Sequence, residues 1–276
     1  PGTYRIVEPS QPAGYFDGLD AAGTVGGLTV GQAINPGDRI EGVLLGGGQV
    51  GADYNFGEIA PASIRGQVFL STTDDSWFTP LADLSPLAGV VILLQDDSAT
   101  ILSQTVTDAS GRYEFPDLLP GTYTVIEKTP AGLIDGGERV GFVNGQLAGV
   151  ILDDDEIGGI TLGPGDAAEQ YDFFEHPPAS LAGRVYHDQN NDGVFGGSET
   201  PIAGVQVYLR DAWGQTVAWQ QTAADGSYRF GGLEPGDYSL VEVQPDGWLD
   251  GKDAAGNVAG IRVGQELDPG DEVIVP

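Results

Sequence analysis

Three stretches of this chain are versions of one another. PGTYRIVEPSQPAGYFDG begins at residue 1, PGTYTVIEKTPAGLIDGG at 120 and PGDYSLVEVQPDGWLDGK at 235, so the copies stand 119 and 115 residues apart. Other segments recur in the same order: IAPASIRGQVF (59–69) with HPPASLAGRVY (176–186), DASGRYEFPDLLPG (108–121) with AADGSYRFGGLEPG (223–236), and ADYNFGE (52–58) with AEQYDFFE (168–175). A period near 117 is too long for one turn of a solenoid and is the size of a small domain, so the chain should fold as a row of similar domains. Residues 62–178 make one complete repeat. Residues 179–276 make a second that stops before its own YDFFE strand, and 1–61 are the C-terminal part of a preceding repeat. Boundaries that fall inside repeats lead us to expect a longer parent protein.

Within a repeat the apolar residues alternate. Val205, Val207 and Leu209 share one face of their segment, as do Tyr228 and Phe230, and Gly, Pro, Asp and Asn punctuate the runs. No stretch of about 12 residues keeps an i, i+3, i+4 apolar rhythm, so the pattern predicts an all-β chain of sandwiches. In the last repeat strands are expected near 181–187, 204–210, 216–222, 227–231, 237–243 and 258–263, with more beyond 271.

The net charge is −30, from 41 acidic and 11 basic residues. With no basic face to neutralise phosphates, nucleic acid is excluded as a partner, and so is an anionic membrane surface. There is no cysteine, hence no disulfide framework or thiolate chemistry. There is no apolar run long enough for a membrane-spanning helix and no leader-like segment.

The stretch DQNNDGVFGGSE, residues 188–199, sets Asp188, Asn190, Asp192, Gly193 and Glu199 at positions 1, 3, 5, 6 and 12. Calcium takes six to eight hard oxygens at flexible geometry. Asp188, Asn190 and Asp192 can supply side-chain oxygens, Val194 a backbone carbonyl and Glu199 a closing carboxylate, while Gly193 permits the bend. Helix–loop–helix calcium motifs need a helix next, whereas PIAGVQVYLRD reads as a strand. The loop thus joins the first two strands of a sandwich. Gly196 and Ser198 add no charge, which points to a weak site of roughly 10⁻⁴–10⁻³ M, still filled at extracellular calcium levels. The matching stretch of the previous repeat, LSTTDDSWFTPLADLSPLAG, has Ser71, Thr73 and Ser76 where the loop has Asp188, Asn190 and Gly193. No tight calcium is expected there, although Asp74, Asp75 and Asp83 leave room for a remodelled site.

GRVYHDQNNDGVFGGSETPIAGVQVYL followed by TAADGSYRFGGLEPGDYSLVEVQPDGW resembles the SdrD B-like repeats of bacterial surface proteins. These are relatives of collagen-adhesin B-type domains with a prealbumin-like, immunoglobulin-like β-sandwich. The likeness spans nearly all of 179–250, 62–135 more loosely, and 1–20 through PGTYRIVEPSQPAGY alone. It implies extracellular, calcium-stabilised stalk or adhesin modules without catalytic activity. Some relatives carry a Lys–Asn isopeptide crosslink promoted by an inward glutamate. Glu8, Glu127 and Glu242 occupy that place, on the same strand face as Tyr4, Tyr123 and Tyr238, and Asn55 and Asp172 lie near the acceptor position. The nucleophile is missing, because Lys128 and Lys252 are the only lysines and neither is on a first strand. No crosslink is expected. The glutamate is read instead as an acceptor of backbone or hydroxyl hydrogen bonds.

Other candidates have plainer readings. His176 and His187 are expected to be structural, the acidic run Asp153–Glu156 to be a solvated loop, and Trp219 to be core or half-buried. Trp213 and Trp248 sit in turns, where exposed rings could stack on sugars. The function expected from these residues is a non-catalytic, calcium-stabilised structural repeat of a secreted or cell-surface protein, stalk or filament. Neighbouring repeats of the same chain would be its partners, and other copies could complete one another's sheets in a fibre. A carbohydrate- or protein-binding adhesin module is the alternative, and an accessory region of an enzyme a third.

Overall fold

Short alternating runs between turn residues satisfy their backbone groups only by pairing with neighbouring strands. The computed structural model of the chain describes residues 1–71, 84–258, 260–266 and 272–275, and among these there are strands, turns and bends but no helix. No helix there is long and apolar enough to cross a membrane. The protein is all-β, a tandem array of β-sandwich repeats. It divides into two compact units, one formed chiefly by residues 1–175 and one chiefly by 176–276.

In the first unit a five-stranded antiparallel sheet runs Ile101–Val106, Val91–Asp96, Gly121–Lys128, Glu156–Leu162, Val150–Asp153. Facing it is a sheet centred on Ala62–Leu70. This strand pairs antiparallel with Arg112–Leu118 and parallel with Ala167–Glu169 and Asp172–His176. Alternation does the packing. Ile64 and Val68 of one sheet meet Ile92, Leu94, Val125, Ile157 and Ile160 of the other, all almost wholly buried. Each such side chain contributes roughly 1.5–3 kcal/mol of burial. Gly66 sits where the parallel strand comes closest. A Cβ there would overlap the Tyr171 carbonyl oxygen, so no other residue fits without moving the backbone.

Residues 1–61 repeat part of this plan. Gly2–Val7 pairs with Arg39–Leu45, setting Tyr4 opposite Val43 and Ile6 opposite Ile40. The counterpart pair sets Tyr123 opposite Ile160 and Val125 opposite Ile157. Among the described residues, the ladders of this segment stay within it.

The second unit builds the same sheet order from Thr216–Gln221, Gln206–Asp211, Tyr238–Glu242, Glu272–Val275 and Gln265–Glu266. Val205, Val207 and Leu209 are buried on one face and Phe230 packs against them, as the alternation predicts. Ala179–Arg184 pairs with Ser227–Leu233. Its other edge has no strand among the described residues, whereas Ala62–Leu70 has two there. A cavity of about 460 Å³ opens there against Leu181, Val207, Tyr228, Leu240 and Val275.

Two expectations about strands differ from what forms. The segment 258–263 is not one strand but a hairpin, Asn257–Val258 with Ile261–Arg262, turned at Gly260 with φ +82°. Trp219 is not core: it is 58 % exposed. The hairpin register sets it opposite Tyr208, and it shares the outer face of its strand with exposed Val217.

Candidate metal centre

The loop 188–199 is pinched at its base. Tyr186 pairs with Pro201 and His187 with Thr200, so the twelve residues between leave and re-enter a two-rung ladder. Inside it, Asp188 accepts N–H bonds from Asp192 (3.2 Å) and Gly193 (2.8 Å). Asn190 Oδ1 accepts from Asp192 N (3.0 Å), and its amide Nδ2 donates to Asp192 Oδ2 (2.8 Å). Asp192 Oδ1 accepts from Val194 N (2.8 Å), and Glu199 Oε2 from Gly196 N (2.9 Å). Asn191 and Gly193 take positive φ, 54° and 73°, which turns the chain back on itself.

This folding brings carboxylate oxygens of Asp188, Asp192 and Glu199 within 4.8 Å of one another. Glu199 Oε1 is buried and has no hydrogen-bond partner. Burial works against the Asp188 charge, but N–H donors from Gly193, Asp192 and Asn191 outweigh it and hold this carboxyl below its usual 3.8. A converging, hard-oxygen set with one uncompensated buried oxygen fits a divalent cation such as calcium. Val194 lies on the rim, its side chain exposed.

Aromatic rings brace the loop. Phe195 folds back so that the Arg184 guanidinium lies 4.6 Å over its ring, with Tyr186 edge-on at 5.1 Å. His187 packs edge-on against Trp248 at 4.8 Å, a structural role. The Tyr186 hydroxyl is pushed up to about 12 by burial, then by Asp188, Glu199, Asp192 and Asp253. In the preceding repeat the matching loop falls mostly outside the described residues, as do Thr73, Asp74, Asp75, Ser76 and Asp83. Ser71 is described and buried, its carbonyl 3.1 Å from His176 Nδ1.

The inward glutamate does not behave as the sequence suggests. Tyr123, Val125 and Glu127 do share the buried face, but neither Glu127 oxygen accepts a hydrogen bond from an N–H or hydroxyl. Its neighbours are acids: burial first, then Glu175 and Asp155, push its carboxyl far above the ordinary 4.5. Glu175 is raised as well, chiefly by burial. Asp135 goes up to about 6 and Glu138 to about 7, again mainly through burial. Asp155 is accordingly not part of a solvated run; it turns inward while Asp153 and Asp154 stay exposed. Sequence reading missed this group, although the recurrence of acids at matched places was a usable signal. Asp172, near the acceptor position, is buried and ion-paired to Arg139, and its Oδ1 accepts from Gln67 N at 2.8 Å.

A family model, SdrD B-like domain, matches residues 81–169 and 179–261. Among curated proteins, Serine-aspartate repeat-containing protein C of Staphylococcus aureus (strain Newman) is 32 % identical over 191 residues, covering 64 % of this chain and 19 % of that protein. The strain N315 form is 31 % identical over the same length. The chain spans about a fifth of the length of these relatives. Among solved structures, the Bacillus anthracis TIE protein is similar at TM-score 0.34 and 13 % identity, over 91 % of this chain and 38 % of that one. The minor pilin GBS52 of Streptococcus agalactiae is similar at TM-score 0.32 and 16 % identity, over 69 % and 87 %. With the family matched over more than half of its residues, the chain belongs to the SdrD B-like domain family.

Proposed function

We propose that the chain is a non-catalytic structural segment of a bacterial extracellular surface protein, a stalk or filament part, stiffened by calcium in loop 188–199. The single observation behind this reading is the convergence of Asp188, Asp192 and Glu199 in a loop pinned at both ends, with Glu199 Oε1 left without a partner. An ion there bridges the start and end of the connection between Tyr186–His187 and Thr200–Pro201. Family membership supports a surface location, and the relatives it matches are serine-aspartate repeat proteins. Binding restricted to the folded state stabilises by about 2.7 kcal/mol at a hundredfold excess over the dissociation constant. Trp213, Trp219 and Trp248 all lie in the second unit and Trp77 does not, so in a Trp77→Phe background tryptophan fluorescence reports second-unit melting. Calcium should raise that transition in the intact chain and not in Asp188→Ala/Asp192→Ala. A transition indifferent to calcium in the intact chain would refute the reading.

A binding module is the second reading. Trp213 is 84 % exposed and Trp219 58 % exposed, on one hairpin of the second unit. A glycan array in which Trp213→Ala/Trp219→Ala loses a signal given by the intact chain would favour it over a purely structural role.

A further inference from the structure

The first unit draws five carboxyl groups together from four segments: Glu127 at the end of strand Gly121–Lys128, Asp135 and Glu138 on Ile134–Arg139, Asp155 in a turn, and Glu175 on Asp172–His176. Oxygens of Glu127, Asp155 and Glu175 lie within 4.8 Å of one another, and so do those of Asp135, Glu138 and Asp155. Asp155 belongs to both groups, and the backbone places it. Glu127 N donates to the Asp155 carbonyl at 2.9 Å, and Asp155 N donates to Glu138 Oε1 at 2.6 Å. Thr129 Oγ1 donates to Asp155 Oδ2 at 2.5 Å.

Glu127 is 1 % exposed and Glu175 0 %. No N–H or hydroxyl reaches any of their four oxygens, nor Asp155 Oδ1. The two glutamates have each other's carboxyl to face, which makes a hydrogen bond only if one holds a proton. Arg139, next to Glu138, is committed to Asp172 and to the Phe174 ring. An isolated buried carboxylate is strongly unfavourable, so this group needs protons or a cation.

The same acids recur. Glu8, Asp17, Asp20, Asp38 and Glu58 hold the matching places in residues 1–61, and Glu242, Asp250, Asp253 and Asp271 hold the first four in the last repeat. The register supports the match: Glu8 N donates to the Asp38 carbonyl at 3.0 Å, as Glu127 N does to Asp155. Asp20 is 7 % exposed with both oxygens unpartnered. Acids are 41 of 276 residues, roughly one in seven, so composition does not account for an acid at every one of these places. A proton shared by two glutamates explains one pair; it gives no reason for Asp or Glu at all five places. Oxygens no more than 4.8 Å apart can also share one calcium, at about 2.3–2.6 Å each.

We propose that Glu127, Asp155 and Glu175, with Asp135 and Glu138 beside them, form an interior divalent-cation site that takes calcium, separate from loop 188–199. The ion ties the final strand of the sandwich to the end of a central strand of the opposite sheet, so it holds the two sheets together.

The test uses the whole chain with the loop disabled, Asp188→Ala/Asp192→Ala, titrated with calcium chloride by calorimetry. That protein should still bind calcium. Adding Glu127→Gln/Glu175→Gln should remove one equivalent while circular dichroism stays that of a β-protein. Should this quadruple variant not fold, Asp155→Asn in the loop-disabled chain serves instead, with at least a tenfold loss of affinity expected for one equivalent. No calcium binding by the loop-disabled chain, or the same stoichiometry and affinity after the inner substitutions, would overturn the proposal. Neither result bears on the loop, which is read from the intact chain.

Discussion

The Tyr113 hydroxyl donates to the Tyr171 carbonyl oxygen at 2.6 Å, both residues buried between the sheets of the first unit. That oxygen occupies the space where Gly66 lacks a side chain. A parallel strand, a phenol and a glycine are thus interlocked around one carbonyl. Tyr113→Phe keeps the ring and leaves the carbonyl without this donor, so urea unfolding should show a loss of about 1–2 kcal/mol. Gly66→Ala forces the Tyr171 backbone away and should cost about 3 kcal/mol.

The same tyrosines set the alkaline limit. Burial pushes Tyr113 well above its usual 10.0 and Tyr171 up to about 12. Below pH 10 both states keep the protons and nothing is lost. Above it the unfolded chain ionises first, so stability falls as pH rises toward the folded values, by about 1.4 kcal/mol per pH unit per group. Denaturant midpoints measured from pH 9 to 12 should fall progressively, and less steeply in Tyr113→Phe.

Asp172 depends on Arg139. Burial raises its carboxyl, opposed by the guanidinium and by the Gln67 N–H. Arg139→Leu leaves a buried, unpaired acid and should destabilise the first unit by about 3–5 kcal/mol. Asp172→Asn in that background should recover part of the loss, because the amide still accepts from Gln67 N without the charge. Thermal melts of the two variants make the comparison.

Gly193 tests the geometry of the loop. Its φ of +73° disfavours any side chain, although Lys252 Cβ is the nearest atom to an added Cβ, at 3.6 Å. Gly193→Ala should therefore strain the loop without a clash, by about 1 kcal/mol. The calcium concentration that half-saturates the second-unit transition should rise about fivefold.

Trp219 is predicted to be dispensable for folding. With its ring over half exposed beside Tyr208, Trp219→Ala should change second-unit stability by no more than about 0.5 kcal/mol in chemical denaturation. A core tryptophan would lose about 3–5 kcal/mol.

Much of this architecture was legible because it is local or repeated. Val205, Val207 and Leu209 alternate, and a strand with one buried face demands that; the spacing of Asp188, Asn190, Asp192 and Glu199 lies within one loop, so its convergence follows from a single turn. Trp219 was misread because alternation names two faces without saying which is inner. The hairpin register decides that, and here it set Trp219 outward with Val217. Glu127 was placed correctly on the inner face, but its neighbours come from residues 135, 138, 155 and 175, which no local pattern joins.

The repeat, the all-strand class, the excess of acids and the spacing of loop 188–199 are legible along the chain, because each rests on periodicity, composition or contiguous spacing. Three relationships arise on folding: Tyr171 lays its carbonyl on Gly66, Arg139 answers Asp172, and Glu127, Asp155 and Glu175 meet. Those relationships depend on strand order and register across two sheets, and such long-range pairings are set by the packing of the whole sandwich.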